Sequence, residues 1–153
     1  MDCMIRLATK EDAAAISRIV ITALRESNAL DYPPEVIDRV EQSFTPEAVA
    51  ALLGKRMVFV ASLHSALIAT ASLDGDVVRS VFVDPAHQGN GVGRRLMETL
   101  HAQAINAGMA KLRVPSSLTA EDFYAGLGYR KVRDEYHGAE RTVVMEKTLQ
   151  ACG

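Results

Sequence analysis

Apolar positions follow a helical spacing in the first third of the chain, a strand-like one from Met57, and a helical one again from Val92. Met4 to Ala8 reads as a short strand, with Thr9 placed to cap a helix after it. Ile16, Ile19, Val20, Ala23 and Leu24 recur at i, i+3, i+4, i+7 and i+8, which puts them on one helical face. The segment "NALDYPPEV", Asn28 to Val36, ends that helix, because its two prolines cannot continue one. "TPEAVAALLG" then carries a full set of helix signals: Thr45 as N-cap, Pro46 in the first position, Glu47 in the first turn and Gly54 as the stop.

Three β-rich runs follow: Met57 to Leu63, Ala66 to Leu73 and Asp76 to Val83. The pair His64-Ser65 and the "DGD" at Asp74 to Asp76 separate them, and gaps this short imply antiparallel hairpins. Asp84-Pro85 ends the third run. Val92, Leu96, Leu100, Ala104 and Ala107 mark another helix face, closed by Gly108. "KLRV", Lys111 to Val114, reads as a strand. Thr119 is placed to cap a short helix through Leu127, with Gly128 just past its end. "YRKVRDEY" and "RTVVMEKTL" read as two closing strands.

The resulting order, β-α-α-β-β-β-α-β-α-β-β, predicts an α+β chain with one β-α-β crossover. That crossover makes strand 76–83 and strand 111–114 parallel, with a right-handed connection. No repeat, linker or low-complexity segment divides the 153 residues, so a single domain over 1–153 is expected.

Composition changes this picture little. Hydrophobic residues make up 48% and charged residues 24%, as in ordinary globular domains. A net charge of −2 and few aromatics give neither a basic stripe nor a stacking platform for nucleic acid. No apolar window is long enough to span a membrane, and "MDCMIRLATKED" lacks a signal-peptide core. Cys3 and Cys152 stand at opposite ends, which favours reduced thiols and fits a cytoplasmic setting. His64, His87, His101 and His137 lack ligand spacing and no C-x-x-C occurs, so no metal site is expected. No G-x-S-x-G supports a serine hydrolase.

The chemistry concentrates in "QGNGVGRRL", Gln88 to Leu96. It is not a P-loop, which needs Lys-Ser/Thr after its last glycine, where Arg94 and Arg95 stand. It is not G-x-G-x-x-G either. Glycines 89, 91 and 93 still let a backbone approach a ligand closely and take positive φ. The N–H groups that open a helix lack internal partners and favour an anion. Two arginines in a first turn oppose the helix dipole unless an anion lies nearby. The residues alone leave two readings open: an anion site, or a flexible loop followed by two solvated arginines.

Context narrows them. Gln88, Gly91 and Gly93 meet a Q/R-x-x-G-x-G/A signature, and Ala120, Phe123, Tyr124, Gly128 and Tyr129 meet a later A-x-x-F-Y-x-x-x-G-F pattern with Tyr in the last place. Together, and in this element order over nearly the whole chain, they resemble the GNAT superfamily of acyl-CoA-dependent N-acetyltransferases. Ser117 departs from the pattern where the family often has asparagine, and Gly126 sits inside the short helix at a cost of about 0.5–1 kcal/mol relative to alanine.

The resemblance implies a central mixed, mostly antiparallel sheet flanked by helices, whose two parallel strands splay apart. Backbone groups left unpaired there need partners, and the two amides of the pantetheine arm of coenzyme A would supply them. It implies that Phe82 and Val83 present backbone groups to that arm. It implies that the pyrophosphate lies on the amides of Gln88, Gly89, Asn90, Gly91, Val92, Gly93 and Arg94. Ser117 and Phe123 join the acetyl-CoA site, and the Val83 N–H holds the thioester carbonyl.

By the same resemblance Tyr124 is the general acid for the leaving thiolate. A phenol of pKa near 10 is protonated at neutral pH and lies above a thiol near 8.5. Without the resemblance, Tyr124 reads as a packing aromatic beside Phe123. The base is not identified: Glu26, Asp31 and His137 are candidates by region only, and water is another. The acceptor pocket is expected from the first two helices and their connection, where Tyr32 would touch the amine acceptor and Asp31 would hold a cationic amine.

The function expected is direct transfer of acetyl from acetyl-CoA to an amine of a small molecule or peptide, in a ternary complex. The alternative is a non-catalytic CoA-binding sensor or interaction module, motivated by Ser117 and the missing base. The strand "RTVVMEKTL" is expected to offer pairing across a homodimer if it lies at a sheet edge.

Overall fold

The computed structural model describes residues 3–149. Its elements run β1 (Met4–Leu7), α1 (Ala13–Glu26), α2 (Pro34–Glu41), α3 (Pro46–Leu53), β2 (Met57–Leu63), β3 (Ala66–Asp74), β4 (Val77–Val83), α4 (Val92–Asn106), β5 (Lys111–Ser117), α5 (Glu121–Gly126), β6 (Arg130–His137) and β7 (Glu140–Thr148), with short 3-10 turns between some of them. The strands form one seven-stranded sheet in the order β1-β2-β3-β4-β5-β7-β6. All neighbours are antiparallel except β4 and β5.

Strand alternation assigns the two faces. Val58 and Val60 of β2 join a core with Ile16, Val20 and Leu24 of α1 and Val49 of α3. Phe59 and Ala61, the residues between and after, join the opposite core with Leu96, Met97, Leu100 and Ala104 of α4. The expected face of α1 is therefore the buried one, as is that of α4 from Val92 to Ala104, whereas Ala107 lies just past the helix end and is exposed. Each fully buried Leu or Met of α4 contributes about 1.5–3 kcal/mol, which fixes that helix against the sheet.

The local signals act as their chemistry requires. Thr45 caps α3, its hydroxyl accepting from the Ala48 N–H at 3.2 Å. His64 and Ser65 both have positive φ, 52° and 68°, as a two-residue hairpin turn of the strand-matching hand needs.

Four expectations change. Residues 34–41 form α2, a helix additional to the expected order: Pro34 opens it, and Val36 and Ile37 are buried. Thr119 does not cap α5. Its hydroxyl donates to Asp31 Oδ2 at 2.7 Å, and Ser117 Oγ instead accepts from the Ala120 N–H at 3.2 Å. The strand from Lys111 runs on to Ser117, because β7 pairs with it along that whole length. The strand read as a dimer edge, β7, lies between β5 and β6 with both ladders filled, so it has no edge to offer. Cys3 is buried with a free thiol, and Cys152 lies outside the described residues. No described helix is long and apolar enough to cross a membrane.

Candidate functional site

β4 and β5 part almost as soon as they meet. Their ladder holds one pair, Val77 with Arg113, tied by the Arg113 N–H to the Asp76 carbonyl at 3.0 Å. β5 then stays with β7 through Ser117, while β4 stays with β3 through Val83. Between the pairs Ser72↔Arg79 and Thr70↔Phe82, β3 advances two residues and β4 three. The extra residue is a β-bulge, and Ser80 within it takes φ 55°, left-handed for a residue with a side chain. A bulge bends its strand. Here β4 turns away from β5, and a cleft of about 770 Å³ lies between them.

Register also says which backbone groups face the cleft. The Asp84 N–H donates to the Ile68 carbonyl at 2.8 Å, one step beyond the pair Val83↔Ala69. Val83 is thus at a non-hydrogen-bonded position and turns its own N–H and C=O away from β3. Phe82, paired with Thr70, turns its groups towards β3 instead, so the expected pair of presenting residues reduces to Val83. Phe82 reaches the cleft with its ring, which meets Phe44 edge-on at 5.8 Å. The Gln88 side-chain amide donates to the Val83 carbonyl and to Ser27 Oγ, both at 3.2 Å. It pins the glycine loop to the end of β4 and to the residue after α1.

The loop has the backbone that the glycines foreshadow. Gly89 and Gly91 sit at φ 82° and 80°, and a Cβ on either would meet open space. Gly91 is the N-cap of α4, and no side-chain hydrogen bond caps that first turn among the described residues. Gly93 is needed for a different reason: a Cβ there would lie 3.2 Å from the Phe123 ring and 3.5 Å from Val83. Gln88, Gly89, Gly91, Val92, Gly93 and Arg94 line the cleft, and Asn90 does not. The two arginines separate. Arg94 faces the cleft, whereas Arg95 reaches back to the Cys3 carbonyl and Sγ, each at 3.1 Å. Donors, open space and a cation therefore meet at one end of the cleft, and a pyrophosphate fits that set.

Tyr124 enters the same cleft from α5. Phe123 and Tyr129 hold its ring edge-on, at 5.2 and 5.5 Å. Its hydroxyl makes no hydrogen bond to the described residues, yet no buried side-chain oxygen is left orphaned, so the oxygen reaches the cleft space. Burial pushes the phenol above its ordinary pKa, which keeps it protonated across the neutral range. Behind it Tyr129 is bonded to His101 Nε2 at 2.9 Å. Ser117, at the end of β5, spends its oxygen on the Ala120 N–H and keeps its O–H free to donate into the cleft.

The opposite wall comes from α1, α2 and β7. Tyr32 lines the cleft with its ring, but its hydroxyl is fully engaged. It donates to the Arg141 carbonyl at 2.7 Å and accepts from the Leu118 N–H at 2.8 Å. The residue read as an acceptor contact is thus also a clamp between three segments. Asp31 is not among the cleft residues, and its carboxylate holds Thr119. Of the candidate bases, His137 lines the cleft and Glu26 does not. Glu140 lines it too, bonded to Arg39 of α2 at 2.8 Å, and Arg39 also reaches the His137 carbonyl at 3.1 Å.

Asn28, Arg56, Ser80, Glu140 and Thr142 are cleft residues that the sequence reading missed. Only Ser80 left a trace: Arg79-Ser80 puts two polar residues side by side in an otherwise apolar strand, as a bulge allows.

Comparison with known proteins agrees with this geometry. Residues 28–149 match the family model of the acetyltransferase (GNAT) domain. A GCN5-related N-acetyltransferase of Rhodopseudomonas palustris has 26% identity and TM-score 0.92, with 97% of each chain covered. The PaiA N-acetyltransferase of Thermoplasma acidophilum, solved with coenzyme A, shares the fold at 17% identity and TM-score 0.84, covering 97% of this chain and 99% of that one. YncA of Salmonella typhimurium, a putative acetyltransferase solved with acetyl-CoA, has 27% identity and TM-score 0.66, covering 97% and 94%. No curated protein matches the chain in sequence.

Proposed function

The chain belongs to the GNAT acetyltransferase family, and from that premise we propose that it transfers acetyl from acetyl-CoA directly to an amine held in the same cleft. One observation carries the reading: the β4–β5 gap runs from Tyr124 to the glycine loop at the start of α4. Acetyl-CoA, when bound, supplies the activated acyl group as a thioester. The first amides of α4, with Arg94, hold its pyrophosphate in the cradle of Gly89 and Gly91. The Val83 N–H faces the gap and is placed to donate to the thioester carbonyl, a contact that gains strength as charge develops there. Tyr124 keeps a proton at its phenol oxygen for the departing sulfur.

Attack by the amine without an enzyme-bound acyl group is favoured by the cleft lining, which holds no cysteine among the described residues. The amine must arrive neutral. Two histidines line the cleft, His87 next to the glycine loop and His137 on the wall shared with Glu140, and His137 is the one we assign to take its proton.

The test is release of free CoA from acetyl-CoA with a panel of amines, for the wild type and Tyr124→Phe. Loss of about 10²–10⁴-fold in kcat with unchanged acetyl-CoA affinity is expected. Tight CoA binding with no turnover across the panel would instead establish the alternative, a CoA-binding module without transfer.

A further inference from the structure

The end of the cleft away from the phosphate cradle carries a cation that makes no ion pair among the described residues. Arg56 follows α3 and lines the cleft. Its Nη1 donates to Ser80 Oγ in the β4 bulge at 3.0 Å. No other hydrogen bond and no carboxylate engages its remaining donors among the described residues. Ser80 is three residues from Val83, about 10 Å along a strand, so Arg56 lies beyond the point where the acyl group would end.

The surroundings do not neutralise it. Glu140 is the only acid among the described cleft residues, and it is bonded to Arg39. Arg79, also in the lining, pairs with Asp74 at 3.4 Å. Burial lowers the pKa of the Arg56 guanidinium most, the charge of Arg79 lowers it further, and Asp74, which is already paired with Arg79, offsets only part of this. An unpaired, half-buried guanidinium is costly unless an anion reaches it. A second polar group waits in the same cleft. Asn28 is 8% exposed and lines it, and its side-chain amide makes no hydrogen bond to the described residues. No buried polar side-chain atom is left orphaned, so that amide opens into the cleft.

We propose that Arg56, seated on Ser80, forms an anion subsite for the acceptor, and that the acceptor is an amine that also carries a carboxylate. The inference rests on the acetyltransferase reading and narrows its substrate class. A guanidinium presents a planar fork of donors that a carboxylate matches with two parallel bonds. Asn28 adds an uncharged donor and acceptor along the wall.

The experiment compares matched amines: amino acids, the same amino acids as carboxamides, and amines bearing a phosphate in place of the carboxylate. Initial rates are measured for the wild type, Arg56→Gln and Arg56→Lys. Calorimetry with acetyl-CoA reports in parallel that each variant is folded with its donor site intact. The wild type is expected to prefer a carboxylate over its carboxamide by roughly 10- to 100-fold in kcat/KM. Arg56→Gln is expected to bring that ratio to near one through KM, with acetyl-CoA affinity and rates on carboxamides little changed. Arg56→Lys, which keeps charge but loses the fork, should retain part of the preference. Equal rates on acids and carboxamides, a preference that survives Arg56→Gln, a stronger preference for the phosphate, or no turnover of any carboxylated amine would overturn the proposal. Failure to bind acetyl-CoA would overturn the acetyltransferase reading itself, a distinct result.

Discussion

The two ends of the cleft are built by different means. At the end we assign to the phosphates the main chain lines the space: Gly89 and Gly91 at positive φ, the opening amides of α4, and the Val83 backbone turned outward by its register. At the end we assign to the acceptor side chains do so, and they come from places far apart in sequence: Asn28, Tyr32, Arg56, Ser80 and Glu140. A backbone site tolerates few residue types, so it leaves a motif. A side-chain site is set by tertiary packing and leaves almost none. Changes at one end should therefore move donor affinity, and changes at the other should move acceptor parameters.

Gly91→Asp should test that division most severely. The left-handed backbone at φ 80° costs a substituted residue about 1–2 kcal/mol. A carboxylate about 4 Å from a phosphate adds at least about 1 kcal/mol of repulsion. Acetyl-CoA affinity should fall on the order of 100-fold by calorimetry, with the fold retained by circular dichroism. Tyr32→Phe should act on the other end. It removes the bonds to the Arg141 carbonyl and the Leu118 N–H and should cost about 1–3 kcal/mol in urea unfolding. Acceptor KM should rise while acetyl-CoA affinity stays level. Equal loss at both ends would break the comparison.

Two smaller effects belong to neither end. The Arg6 guanidinium, helped by the Thr9 N–H, holds the Asp12 carboxyl down to about 2. The folded pKa lies below the unfolded value of 3.8, so this stabilisation is complete above about pH 4 and fades as pH falls towards 2. Asp12→Asn should lose about 1 kcal/mol at pH 7, since Arg6 is half exposed, and its deficit against the wild type should shrink below pH 4 in thermal melts. Gly126→Ala should raise stability by about 0.5–1 kcal/mol, because a Cβ there meets nothing within 4 Å and φ is not positive. Neither variant should change acetyl-CoA affinity.

The same contrast explains what could be read in the sequence. Strand and helix faces followed from spacing because each face packs on one core. The splayed parallel pair followed from a family resemblance, and the bulge at Ser80 supplies its physical cause. α2 is hard to read in the sequence although Val36, Ile37 and Val40 carry a helical spacing, because two adjacent prolines read as breakers and Pro34 is in fact a starter. Tyr32 lines the cleft, but its hydroxyl partners, 86 and 109 residues away, have no local signature. Asp31 and Asn90 are not among the residues that line the cleft, and nothing in a short motif fixes which of its side chains reach a cavity. Arg56 stands between a helix stop and a strand, where an arginine is unremarkable until packing seats it on Ser80 with no carboxylate bonded to it among the described residues.

The most direct measurement is a calorimetric titration of the wild type and Gly91→Asp with acetyl-CoA, with NAD and ATP as controls. A cleft built around the β4–β5 gap predicts one acetyl-CoA per chain, bound in preference to NAD and ATP, with affinity largely lost in Gly91→Asp. Absence of acetyl-CoA binding, or binding that Gly91→Asp leaves unchanged, would contradict it.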